Sequence, residues 1–171
     1  MNTQSLMRLD DYWLDSIEIK SGSAPEEQAS TPETSVLPLD VSIAFDIRRH
    51  KDFLRFRVPL EVEVTSSDKT LFPFDRISIA LTGVFSFPEG TPQETVDKYV
   101  PLLCLTNLFG IARGLVSQYT ALFPGGAFLM PLVNMNDLIK DYLNSLAAGG
   151  TRKKKKSASK KAVGEKPPGN K

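Results

Sequence analysis

The sequence predicts an α+β fold: a four-stranded antiparallel sheet, forming a meander after a long crossover loop, with two to three C-terminal helices packed on one of its faces. Three observations carry this. Residues 37–87 contain three successive runs in which apolar and polar side chains alternate. Residues 102–146 are apolar at helical spacing, and every strand-like run precedes every helix-like one. A length of 171 residues suits one domain with tails. The divisions expected are an N-terminal tail at 1–8, a folded domain at 9–148 and a disordered Lys-rich tail at 149–171.

The first strand is expected over Tyr12–Lys20, where Trp13, Ile17 and Ile19 share one side and Asp15 interrupts the series. Residues 21–35 are small, polar and acidic with two prolines, too poor in apolar area to offset the entropy of ordering. They read as a mobile crossover loop. The next strand, Leu37–Ile47, sets Leu37, Leu39, Val41, Ile43, Phe45 and Ile47 on one face. Residues 48–52 make a charged turn. A third strand, Leu54–Val64, has Phe56, Val58, Leu60 and Val62 on its apolar face, and Pro59 indicates that it lacks a partner on one side at that point. Arg76–Phe87 is the fourth. Such alternation leaves one face of the sheet wet, so the helices must cover the other.

Thr91-Pro92-Gln93-Glu94 has the form of a capping box with proline at the first helical position, opening a short helix to about Tyr99. Pro101 should break or kink that helix before a long one from Leu102 to Phe123. Between Lys98 and Asp137 the only charge is Arg113. A membrane span needs about 20 uninterrupted apolar residues, and Arg113, the run 124–126 and Pro131 interrupt this one, so no transmembrane segment is expected. Gly110 and Gly114 lie four apart on one face, where they either permit close approach of a neighbour or are merely tolerated. The last helix is punctuated clearly. Asn134 can cap it, Val133 and Leu138 are placed as a hydrophobic staple, and Leu138, Ile139, Tyr142, Leu143 and Leu146 form one apolar stripe that ends at Gly149-Gly150.

Charge is unevenly distributed. From Thr151 onward nine Lys/Arg stand against Glu165 alone, a net +8, which leaves 12 Lys/Arg against 19 Asp/Glu, a net −7, in residues 1–150. The Lys-rich tail can hold nucleic acid or an anionic membrane weakly by charge, or serve as a solubilising tail. The N-terminus lacks the basic start and apolar run of a secretory signal, and one cysteine permits no intrachain disulfide. A cytoplasmic protein is the expectation.

Catalytic chemistry is thinly supplied. His50 and Cys104 are single copies, one in an expected turn and the other in an apolar helix. There are too few cysteine and histidine ligands for a zinc site, and no phosphate-loop, dinucleotide, nucleophile-elbow or HExxH motif occurs. Neither an enzyme nor a cofactor is expected.

Several short motifs, taken together and in order, resemble the SecB export chaperones and their SecB-like relatives. They are Gly83-Val84-Phe85-Ser86 at a strand end, Asn107-Leu108-Phe109 followed by Ala112-Arg113, then Phe123-Pro124, Pro131-Leu132-Val133-Asn134, Asp137-Leu138 and Tyr142-Leu143. The resemblance runs from about Tyr12 to Leu146. It implies a four-stranded sheet with C-terminal helices, self-association as a dimer or tetramer through the long helix, no ATP, and apolar grooves that hold unfolded polypeptides. By this resemblance Val36, Leu37, Leu39, Phe128, Met130, Leu138, Ile139 and Tyr142 line the client groove, and Phe109, Gly110, Arg113 and Gly114 form the oligomer contact. Export members present acidic residues to the SecA motor, and the matching positions here are Ser16, Lys20 and Ser78. The expected function is therefore that of an ATP-independent holding chaperone in protein export, or of a SecB-like relative that shelters an antitoxin or a few clients. Two readings from other classes stand beside it: a nucleic-acid-associated protein acting through its tail, and a carrier of a small apolar ligand.

Overall fold

The computed structural model describes residues 6–22, 38–51, 54–67 and 72–147. Within them the chain forms β1 (Arg8–Ser21), β2 (Leu39–Phe45), β3 (Arg48–Arg49), β4 (Arg55–Ser66), β5 (Phe74–Ser86), α1 (Gln93–Thr120) and α2 (Met135–Ala147). The sheet is antiparallel in the order β1-β5-β4-β2, with the two-residue β3 continuing the β2 edge against β4. Thus β2, β4 and β5 make the meander, and β1 returns to pair with β5. The crossover that brings it there lies almost wholly outside the described residues, as do the Lys-rich tail and the glycines at 149 and 150.

Alternation builds the core as expected. Val58, Leu60, Val62 and Val64 of β4 and Ile77, Ile79, Leu81 and Phe85 of β5 are buried on one face, where Val96, Leu105, Leu108, Ala112 and Val116 of α1 cover them. The break between β2 and β3 falls opposite Pro59. The Asp46 N–H donates to the Pro59 carbonyl at 3.2 Å, and since a strand residue's N–H and C=O point the same way, the absent proline donor faces the gap in the neighbouring strand.

The first strand departs from its sequence reading in length and in facing. It begins at Arg8, and the preceding Met7 is itself buried, its sulfur 3.6 Å from the Cys104 thiol. Trp13, Ile17 and Ile19 do not share a face. Leu14 pairs with Leu81 and Ser16 with Ala80, so Asp15 is the extra residue of a β-bulge, and one inserted residue exchanges the two faces of a strand. Ile17 and Ile19 lie over the core, whereas Trp13, opposite Thr82, lies on the outer face. Asp15 stabilises the bulge: its carboxylate accepts from the Thr82 hydroxyl at 2.7 Å and from the Trp13 indole N–H at 2.9 Å.

Helix α1 also differs. It is one helix of 28 residues with Pro101 inside it. The missing N–H of Pro101 forfeits one intrahelical bond, but Val100, Pro101, Cys104 and Leu105 are all buried, and that burial outweighs the loss. The capping box does not form either. The Thr91 hydroxyl donates to the Pro88 carbonyl at 2.7 Å, and no side chain caps the helix. At α2 the cap is made, with the Asn134 side chain accepting from the Asn136 N–H at 3.1 Å and donating to Asp137 at 2.6 Å.

Candidate functional site

Helix α2 lies against the edge of the sheet formed by β2 and β3. Its apolar stripe is only partly covered: Leu138, Ile139 and Tyr142 are half-buried, and Leu143 is 50% exposed. The Tyr142 ring packs on Phe45 of β2, with 4.6 Å between centroids. From this contact a groove of about 210 Å3 runs between α2, α1 and β3. Tyr142 and Leu143 form one wall, Val100 and Pro101 of α1 another, and Ile47 and Phe56 belong to the sheet side.

One charged pair stands among these apolar walls. Arg49 of β3 forms an ion pair with Asp97 of α1, and its guanidinium sits 5.3 Å from the centre of the Phe56 ring. The Gln93 amide donates to Asp97 and holds its carboxyl below the usual carboxylate range; slight desolvation opposes this, and Arg49 adds to it. Burial, with the Asp46 carboxylate acting in the same direction, raises the Tyr142 phenol above its ordinary value, so the ring remains neutral at physiological pH. The arrangement offers burial of apolar side chains with one charged anchor.

The candidate groove residues are dispersed. Val36 and Leu37 lie outside the described residues. Leu39 is half-buried on β2, and Leu138, Ile139 and Tyr142 share α2. Phe128 packs its ring against Phe72 and Phe74, with centroids at 5.1 and 6.3 Å, and its N–H donates to the Thr120 hydroxyl. Met130 is fully buried, so it belongs to the core and presents nothing to a groove. Ile47, Phe56, Val100 and Pro101 were missed by the sequence reading. Val100 and Pro101 were masked by the expectation of a helix break, although two apolar residues following Tyr99 and leading into the apolar run from Leu102 were the available signal.

The candidate oligomer residues divide likewise. Phe109 is 4% exposed and faces the sheet with Leu105, Leu108 and Ala112, because helical spacing puts it on the inner side of α1. Arg113 donates to the Met130 carbonyl at 2.8 Å, so the lone charge of the apolar stretch secures the loop between the helices. Gly110 and Gly114 are exposed on the outer side, where a Cβ would meet nothing within 4 Å. In the loop between α1 and α2, Leu122 and Leu132 are each 82% exposed and Leu129 is 62% exposed. By length and composition α1 could cross a membrane, yet its inner face is covered by the sheet. Ser16, Lys20 and Ser78 lie on the outer face of the sheet, and Lys20 pairs with Glu18 at 3.3 Å.

Among the described residues no group of three His, Cys, Asp or Glu side chains could hold a metal ion. His50 is exposed beyond β3, while Cys104 is buried in α1, and burial pushes its thiol up to about 12. The two do not form a nucleophilic pair.

No family model matches the chain, and no curated protein matches it in sequence. Among solved structures it is similar to a SecB-like chaperone of Mycobacterium tuberculosis, in complex with a ChAD peptide from the HigA1 antitoxin. The identity is 11%, the TM-score is 0.53, and the match covers 75% of this chain and 91% of that one. A Streptococcus agalactiae protein of unknown function matches at 11% identity and a TM-score of 0.40, over 74% of this chain and 97% of the other. The first of these shows the fold: an antiparallel sheet with helices packed on one face, in the SecB-like arrangement.

Proposed function

We propose that this protein is an ATP-independent holding chaperone that binds non-native polypeptide in the groove between α2, α1 and the β2-β3 edge. The observation that carries the reading is the half-open stripe of α2. Tyr142 and Leu143 remain partly exposed above Ile47, Phe56 and Val100, and an uncovered apolar surface of this kind is suited to extended, apolar client segments. Each contact gains on the order of 25 cal/mol per Å2 of apolar area buried, and repeated weak contacts along one client supply retention. No enzymatic step and no cofactor enter this scheme. It places the protein in the cytoplasm, as a dimer or tetramer assembled through the open glycine face of α1.

A dedicated client suits the chain better than general export. The fold neighbour was solved with an antitoxin peptide, and the positions that would dock SecA are Ser16, Lys20 and Ser78 rather than acidic residues. The Lys-rich tail, on this reading, aids solubility and is not the seat of activity. The test is retention of a permanently unfolded, carboxymethylated protein by the purified chain without nucleotide, measured by co-elution. Retention supports the proposal; failure to retain either that protein or a set of antitoxin peptides rejects it.

A further inference from the structure

On the outer face of the sheet Arg48, Arg55 and Arg57 gather around the single tryptophan of the chain, with Arg49 at the edge between this face and α1. Arg48, Arg49, Arg55, Arg57 and His50 line a pocket of about 390 Å3 whose apolar wall is Trp13, Phe56 and Val84. Among the described residues no carboxylate lines it. We infer that this pocket, formed by Trp13, Arg55 and Arg57, is a docking site for an acidic segment of a partner polypeptide, one in which spaced carboxylates flank an apolar side chain.

Three features show a built site. The Trp13 ring is fixed, because its N–H is held by Asp15, which the bulge and Thr82 hold in turn; its face meets the Arg57 guanidinium at 5.1 Å. Arg57 lies directly opposite Arg48 across the strand pair, where like charges repel, and Asp46 offsets only the Arg48 side of the pair. The local acids cancel only part of this charge. Asp46 pairs with Arg48, Asp97 with Arg49, and Asp10 lies toward Arg55, but among the described residues no carboxylate is in ion-pair contact with Arg55 or Arg57. These two guanidinium groups are available in a body whose first 150 residues carry net negative charge.

A peptide fits this surface better than nucleic acid. The neighbouring groove is lined by Asp15, Asp46 and Glu61 beside Arg48, so a continuous phosphate backbone running on from the arginines meets repulsion that a short acidic segment ending at them avoids. A peptide can place its carboxylates on Arg55 and Arg57 and an apolar side chain on Trp13. This inference does not depend on the chaperone reading: Arg49 and Phe56 are common to the two surfaces, but Trp13, Arg55 and Arg57, which carry it, belong to this one alone.

The test uses the full-length protein and the emission of Trp13, which no other tryptophan obscures. The probes are a tryptophan-free peptide of alternating Glu/Asp and Leu/Phe, the same peptide with Lys at every acid, and a short oligo-dT strand. The acidic peptide should move the emission saturably, its affinity should fall with added salt, and Arg55→Glu with Arg57→Glu should weaken it by at least about tenfold with no change in thermal midpoint. If that pair of changes disturbs folding, Arg55→Gln alone should still weaken binding severalfold. No saturable response, an equal response to the lysine peptide, or stronger binding of oligo-dT would each overturn the inference.

Discussion

The rings of Phe45 and Tyr142 meet with 4.6 Å between centroids, and this contact ties the half-exposed helix α2 to the edge of the sheet. Beside it opens the proposed client groove. Tyr142→Asp should therefore weaken client binding by about tenfold, or about 1.4 kcal/mol, because a charge replaces an apolar wall. The oligomer, read by sedimentation, should persist. Loss of the oligomer in this variant would make Tyr142 an assembly residue instead.

The two kinds of glycine should respond oppositely to alanine. At Gly83 a Cβ would lie 2.7 Å from a Leu108 methyl and 2.8 Å from the Phe85 ring, so Gly83→Ala should cost about 1–3 kcal/mol in urea unfolding. At Gly110 nothing lies within 4 Å, and Gly110→Ala should stabilise the isolated chain by up to about 1 kcal/mol. A bulkier Gly110→Leu should dissociate the assembly if copies meet on this face; an unchanged sedimentation profile would remove α1 from the interface.

Asp15 and Thr82 hold the bulge that turns Trp13 outward. Thr82→Val removes one partner of a hydrogen bond and should cost about 1–2 kcal/mol of stability. Asp15→Ala should do the same and also shift Trp13 emission, since the indole loses its acceptor. Unchanged emission in Asp15→Ala would contradict the placement of the ring.

Burial raises the Cys104 thiol from 9.0 to about 12. An acid that holds its proton more tightly when folded contributes stability that is fully present below its unfolded value and is lost as pH rises through its folded one. Urea midpoints should accordingly fall between about pH 9 and about pH 12, less steeply in Cys104→Ala, with Tyr142 contributing in the same direction. Alkylation of Cys104 should track unfolding; rapid modification of the folded protein would refute its burial.

Much of the fold was legible because alternation leaves one face to be covered: β2, β4 and β5 follow directly from the runs containing Val41, Val58 and Ile79. The Asn134 cap was equally plain, since an oxygen-bearing side chain at that position has an N–H to accept from. What was hidden depended on partners distant in sequence. Asp15 looked like a blemish in an alternating strand, and only pairing with Leu81 and Ala80 reveals that it reverses the faces. Pro101 looked like a terminator, and only the sheet beneath α1 shows why the helix continues. Met130 and Phe109 were as apolar as Tyr142, but sequence does not say which apolar residues the core consumes. The pocket around Trp13 needed both the bulge and the β3-β4 pairing before its arginines came together.

The central claim, that the folded body holds non-native chains without nucleotide, is tested most directly by diluting a chemically unfolded protein into the full-length chain and following light scattering, with the truncation after Gly150 alongside. The proposal predicts suppression of aggregation by both forms at near-stoichiometric ratio, reduced by Tyr142→Asp. Suppression that disappears with the tail, or that is indifferent to Tyr142→Asp, would contradict it.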